Sequence, residues 1–456
     1  MRPVAATQLA LIGIGCLASF GIAACSGATP AAPSTQSTAT PPSSASPAPT
    51  PPASAPQAQN TPVASPTAQA SSPKYCDLGA GGAVDPSLVS GNTGFGAELF
   101  GELHDSAPGE NVFISPLSVS VALAMLYNGA SGETRQAMTE TLGYEGMSPE
   151  RINDANLALL QSLCALNPEL ALNIANSLWA RQGVQFKQDF IDANREHFAA
   201  EAAVLDFDDP AAAGRINGWV SDNTNGKITQ IIDRIPADMV MYLINAIYFK
   251  GAWDTQFDGK LTREMPYHLQ GGGQVTVPMM LQTRYFSYQE SGAFQAVKLP
   301  YKKTNVGMYV FLPKEGTSLE ALVNDLSEES LGEWMGQFGN REGSVSIPRF
   351  KMEYEEKLND ALSDMGMAVA FDPDRADLSG MSDAHLYVSE VKHKAVVEVN
   401  EVGTEAAAVT SIGVAATSAN PNPPFSFIAD RPFLFLIRDD ATGSVLFMGA
   451  VYNPAQ

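Results

Sequence analysis

A net charge of −22 on 456 residues, with no window that gathers Lys and Arg into a stripe, excludes a protein built to neutralise nucleic-acid phosphates. Residues 26–72 are almost entirely Ala, Pro, Ser, Thr and Gln, too poor in apolar side chains to offset chain entropy. About 370 residues are left for one large folded domain.

Arg2 precedes an apolar stretch over residues 9–24, which ends in Ile22, Ala23, Ala24, Cys25 and Ser26. This pattern predicts a lipoprotein signal over residues 1–24, with Cys25 lipidated and residues 25–85 forming a disordered tether to a domain over 86–456. An ordinary secretory signal or an uncleaved anchor are the other readings, and each exports the domain. The expected location is the outer face of a bacterial membrane, or the extracellular space. Cys76 and Cys164 are the two cysteines beyond the leader, and either a bridge or two unpaired thiols fits them.

Ser115 followed by Pro116 predicts a helix start, and the run VSVALAMLYNGA is apolar all round, as an internal helix requires. Ile216, Trp219 and Val220 share one face of a surface helix. The run MVMYLINAIYFK at 239–250 reads as a strand covered on both faces, and KHKAVVEVNEV as another. The glycines Gly271, Gly272 and Gly273 lack the Lys and helix of a phosphate loop and predict a hairpin turn. Asp372, Asp374 and Asp377 lack the Gly and terminal Glu of a calcium loop. With five scattered histidines, no HExxH and no GxSxG, neither zinc hydrolysis nor a serine hydrolase has a motif.

Residues 401–418, EVGTEAAAVTSIGVAATS, contain no Pro and mostly small side chains, so this segment can slide between two existing strands. Gly403 supplies a swivel. On insertion Thr404, Ala406, Ala408 and Thr410 point to one face, with Glu405, Ala407 and Val409 on the other. The plainer alternative is an Ala-rich surface loop or one turn of helix. FLFLI, DDATGS and VLFMGAV then form a buried hairpin. Helices precede strands without βαβ alternation, which makes the fold class α+β.

From about residue 92 to 454 the chain resembles the serpins. The likeness rests on NVFISPLSVSVALAMLYNGASGETRQAM, RINGWVSDNTNGKI, LINAIYFKGAWDTQF followed by VPMM, FDPDRADLSGMS, VKHKAVVEVNEVGTEAAA and ADRPFLFLIRDDATGSVLFMGAVYNP, in serpin order. The resemblance implies three β-sheets, eight or nine helices and an exposed reactive-centre loop, here about 401–426, that baits a protease and inserts into the central sheet once cut. Ser115, Ser118, Asn245 and His393 match the family's shutter, and Trp253 and Arg349 its breach. Glu401, Gly403, Thr404, Glu405, Ala406, Ala407 and Ala408 match its hinge, with an ion pair expected between Glu401 and Arg349. Taken alone, His393 reads as a satisfied core or surface histidine, Ser115 as a helix cap and Trp253 as a core aromatic.

The family's spacing puts the reactive bond between Thr417 and Ser418, with Ala415, Ala416, Ala419 and Asn420 as alternatives in a loop longer than usual. None of these is Arg, Lys or a large aromatic, so the expected partner is an elastase-like or subtilisin-like serine protease, with a cysteine protease as second class. The implied protein is a monomeric inhibitor, not an enzyme, that needs no cofactor or metal, meets the membrane through its lipid and binds no nucleic acid. A non-inhibitory binding or chaperone-like serpin is the alternative.

Overall fold

Asp85 accepts a hydrogen bond from the Ser87 N–H and caps α1 (Pro86–Ser106), with Pro86 in the first turn, where a missing N–H costs nothing. The computed structural model describes residues 74–77, 82–164, 170–404 and 423–456. The signal, Cys25, the tether up to residue 73 and loop residues 405–422, including the bond between Thr417 and Ser418, lie outside the described residues.

Ser115 caps α2 (Pro116–Tyr127), and every residue of that helix is buried, as its unbroken apolar sequence requires. Further along the chain come α3 (Gly132–Thr141), α4 (Pro149–Cys164), α5 (Gln188–Phe198) and α6 (Ala212–Asn223), the last burying Ile216 and Val220. Two shorter helices, α7 (Leu319–Asn324) and α8 (Glu328–Met335), follow. A run of helical turns from Asn359 to Phe371 is interrupted at Gly366, whose φ is 111°.

The tether boundary expected after residue 85 falls too late. A turn at Lys74–Asp77 belongs to the folded unit: Tyr75 is buried, its hydroxyl donates to the Leu172 carbonyl at 2.5 Å, and Cys76 is disulfide-bonded to Cys164 with Cα atoms 5.5 Å apart. Of the two readings open for these cysteines, the bridge is the one observed.

The strands in chain order are β1 (Val112–Ile114), β2 (Leu170–Arg181), β3 (Glu201–Leu205), β4 (Met241–Ala252) and β5 (Arg263–His268). Then come β6 (Gln274–Glu290), β7 (Phe294–Pro300), β8 (Val306–Pro313), β9 (Gly339–Pro348) and β10 (Phe350–Lys357). The last are β11 (Glu390–Val399), β12 (Gly403–Thr404), β13 (Phe425–Ile428), β14 (Phe433–Asp439) and β15 (Val445–Val451). One sheet has the order β10-β11-β12-β4-β2-β3. The other runs β1-β15-β14-β8-β7-β6-β9-β13 with β5 on β6. In it the seventeen-residue β6 pairs first with β5 and β9 and then with β7, so two of the three expected layers form one continuous ladder. The three glycines 271–273, all at positive φ, turn the chain between β5 and β6.

β4 lies between two cores. Leu243, Ile247 and Phe249 join the main core beneath α2, while Tyr242, Ile244 and Ala246 meet Ile216 and Val220 of α6. Burial on both faces explains the apolar run that predicts this strand. Asn245 is the polar exception, and it faces the main core.

Candidate functional site

β11 and β4 run parallel and pair in register from Glu390 opposite Tyr242 to Val396 opposite Tyr248. Beyond Val396 the two strands part, and β12 occupies the fork. Thr404 pairs antiparallel with Val399 of β11 on one side and with Gly251 of β4 on the other, and Gly403 pairs with Ala252. Two residues of the segment expected as the hinge, Gly403 and Thr404, therefore lie within the sheet.

The turn into the fork is built by Asn400. Its Oδ1 accepts from the Val402 and Gly403 N–H groups at 3.0 and 3.3 Å, and its own N–H donates to the Gly403 carbonyl at 2.9 Å. Trp253 holds the turn from the β4 side, with Nε1 donating to the Asn400 carbonyl and its N–H to the Val402 carbonyl, both at 2.9 Å. The Trp253 ring stacks on Tyr301 at 4.7 Å. Gly403 is not at positive φ, so it does not act as the expected swivel; what it provides is room. A Cβ at Gly403 would lie 2.1 Å from the Gly251 carbonyl oxygen, so only glycine fits.

Thr404 is fully buried, and its Oγ1 lies 2.7 Å from the Tyr301 hydroxyl. Burial pushes the Tyr301 phenol well up, so it stays neutral and able to donate. Glu401, outside the fork, accepts from Arg349 at 2.5 Å and Thr262 at 2.7 Å. Burial alone would raise its carboxyl, but the bonds from Arg349 and Thr262 outweigh it and hold the group below the usual carboxylate range. Arg349 is half exposed, so this pair contributes under about 1 kcal/mol.

Below the fork the four residues matched to the shutter, Ser115, Ser118, Asn245 and His393, meet. His393 stands opposite Asn245 in the β11 and β4 register, with Nδ1 2.5 Å from Asn245 Oδ1. The Ser115 N–H donates to His393 Nε2 at 3.3 Å, which leaves the ring proton on Nδ1, pointing at Asn245. Ser118 Oγ donates to Asn245 Oδ1 at 2.9 Å, and Asn245 Nδ2 donates to the Ser118 carbonyl at 2.9 Å and to Asn176 Oδ1 at 2.5 Å. Ser115 Oγ caps α2 and also donates to the Leu446 carbonyl at 2.6 Å. The amide of Asn245 thus has all four of its bonds, and they tie β4, β2, β11 and α2 together. Burial lowers His393 from the ordinary 6.5 to about 3, keeping the ring neutral.

Sequence reasoning brings Ser115, Ser118, Asn245 and His393 to one place, and Glu401, Gly403, Thr404, Trp253 and Arg349 to a second; both groupings are present. It missed Tyr301, Asn400, Asn176 and Thr262. Asn400 has a local signal, an Asn where a strand turns back, and Asn176 is a polar break in an apolar strand. Tyr301 has none. Asp372 and Asp377 cap backbone N–H groups of Asp374 and Ser379, and no group of three metal-ligating side chains occurs among the described residues.

Residues 90–454 match a family model described as Serpin (serine protease inhibitor). The leukocyte elastase inhibitor of Xenopus tropicalis is 37% identical over 81% of this chain and 100% of its own length. The crystal structure of the thermophilic serpin tengpin in the native state is 32% identical, covering 82% of this chain and 96% of that one, with a TM-score of 0.77. Human thyroxine-binding globulin in complex with thyroxine is 29% identical over 81% of this chain and 99% of that one, with a TM-score of 0.75.

Proposed function

The chain belongs to the serpin family, and on that premise we propose that it is an exported inhibitor that traps a protease by inserting its own cut loop between β11 and β4. The observation that carries this reading is β12: Gly403 and Thr404 already occupy the slot, paired to both neighbours, with Thr404 sealed against Tyr301.

The protease's serine attacks the carbonyl of Thr417, an ester forms, and the amine of Ser418 leaves with the proton relayed by the enzyme's histidine. The freed strand then zips into the fork. One parallel pairing of β11 with β4 is exchanged for two antiparallel ladders, each slightly stronger per residue. That exchange pulls the attached enzyme along and distorts its active site; loop insertion in serpins is itself a standard example of strand addition and of released strain.

The register of β12 extends to a definite endpoint. Continued into the cut form, the same register would bring Ala406 opposite Phe249, Ala408 opposite Ile247, and Thr410 between Asn245 and His393. There its hydroxyl would accept from His393 Nδ1 and donate to Asn245 Oδ1, replacing the bond that insertion breaks. The strand therefore opens the latch and resatisfies it.

The absence of Arg and Lys from residues 402–430, and the small side chains around Thr417, favour elastase-like or subtilisin-like targets. The elastase inhibitor among the relatives supports the same class. A lipid on Cys25 would hold the domain on the outer face of a bacterial membrane, with residues 26–73 as a tether; no helix among the described residues is long and apolar enough to cross one. The test is incubation with pancreatic-type elastase, a subtilisin and trypsin, followed by boiling in detergent. A covalent complex with one of the first two and none with trypsin is expected; clean loop cleavage by every protease, with no complex, overturns the trap. The likeness to thyroxine-binding globulin favours the second reading, a non-inhibitory serpin that acts as a binding or chaperone-like protein, and that outcome would select it.

A further inference from the structure

We propose that the turn Lys74–Asp77 is a clasp on the outer edge of the central sheet that restrains its opening, with the disulfide between Cys76 and Cys164 holding the clasp shut. The inference deepens the proposed trap and rests on the reading that a strand enters between β11 and β4. One row of residues crosses that part of the sheet: Val399 of β11 pairs with Thr404, Thr404 with Gly251 of β4, and Gly251 with Leu170 of β2. Leu172, opposite Phe249, lies on the row that Ala406 would take.

β3 covers the outer edge of β2 only from Ser177 to Arg181, so from Leu170 to Asn176 no further strand flanks β2 among the described residues. Even-numbered residues along this stretch turn their backbone groups outward, as the bond from the Gln182 N–H to the Leu205 carbonyl at 2.8 Å shows. The Leu172 carbonyl points the same way and meets the Tyr75 hydroxyl at 2.5 Å. Tyr75 is buried, and burial pushes its phenol well up, so it stays neutral and able to donate. The next residue, Cys76, is bonded to Cys164, the last residue of α4. That helix is itself fixed: Asn153 exchanges two amide hydrogen bonds, at 3.0 and 3.1 Å, with Asn128 at the end of α2.

Admitting a strand widens the gap between β11 and β4 by one strand spacing, about 4.8 Å. β2 is paired with β4 from Leu170 to Ala180, so the two strands move as one, outward, against the Tyr75 hydroxyl. While the disulfide is closed, the turn cannot step aside without dragging α4. Both cysteines keep some exposure to solvent, where a dithiol can reach them. In that exchange the disulfide takes up two electrons and two protons to give two thiols, and the dithiol closes to a disulfide of its own. The turn is then free to swing away. The closed clasp therefore slows entry of a strand into the intact sheet and lowers the fraction of cut inhibitor that ends as complex.

The test measures two quantities: uptake of a synthetic peptide of residues 405–416 by the intact protein, read as a rise in melting temperature, and the fraction of elastase-cut inhibitor that ends as complex. The forms compared are oxidised wild type, wild type reduced with dithiothreitol, the double variant Cys76→Ala with Cys164→Ala, and Tyr75→Phe. Reduced wild type and the double variant should take up the peptide about tenfold faster and trap a larger fraction, with Tyr75→Phe about threefold faster. Reductant should add nothing to the double variant. Tyr75→Phe keeps both the ring and the disulfide, so it still reports if the double variant does not fold. A lower melting temperature with neither quantity raised is the mark of a plain stabilising strap, and it overturns the clasp while leaving the trap intact. Faster uptake by the opened forms, with no trapping by any form, supports the clasp and overturns the trap. No uptake and no trapping by any form overturns both.

Discussion

His393 of β11 and Asn245 of β4 face each other across the strand pair that insertion must separate, joined by a 2.5 Å hydrogen bond that no water reaches. Because His393 is held neutral, with its pKa lowered from 6.5 to about 3, the unfolded chain binds the extra proton first as pH falls. The contribution is fully present above pH 6.5 and is lost as pH falls from there toward 3, at up to ~1.4 kcal/mol per pH unit. The melting temperature of the intact protein should therefore fall through this window, and His393→Gln should flatten the slope. A slope identical in the two proteins would remove His393 from the account.

Thr404→Arg places a long cation in the pocket filled by the Thr404 hydroxyl beneath Tyr301, where burying an unpaired charge is prohibitive. The hinge should be expelled from the fork, and the variant should be cut by elastase without trapping it. Gly403→Ala should act in the same direction, since its Cβ meets the Gly251 carbonyl. Undiminished complex formation by both variants would contradict insertion through this fork.

Thr410→Val keeps the shape of the inserted strand but removes the hydroxyl that would bridge His393 and Asn245. A buried donor left unpaired costs about 1–3 kcal/mol, borne by the cleaved form alone. The cleaved protein should melt lower than cleaved wild type, with the intact forms unchanged. In wild type itself, cleavage should raise the melting temperature sharply, because the new strand completes the sheet; equal values for cut and intact protein would argue against a metastable native state.

The disulfide between Cys76 and Cys164 closes 88 residues and pins Tyr75 against Leu172. On the chain-entropy account it contributes about 4–5 kcal/mol. Cys76→Ser should lower the melting temperature by several degrees, and reductant should do the same to wild type but nothing to the variant.

Cys25→Ser tests the anchor. The variant should leave the detergent phase or retain its leader, whereas wild type should partition with detergent. A variant of processed size still held by membrane would exclude the lipid.

What could be read along the chain was local: the Ser115 cap and apolar α2, the doubly covered β4, the hairpin of β14 and β15, and a hinge of small residues without Pro. Each depends on neighbours within a few positions, or on a family pattern carried by short motifs. The tertiary structure alone decided that Thr404 already lies inside the sheet, that Gly403 is there for space, that Tyr301 receives the hinge and that Tyr75 belongs to the folded unit. Thr404 and Tyr301 are 103 residues apart, and Cys76 and Cys164 are 88. Their meeting is set by strand register and by how far β11 and β4 part, and register is a property of paired strands that neither strand carries by itself.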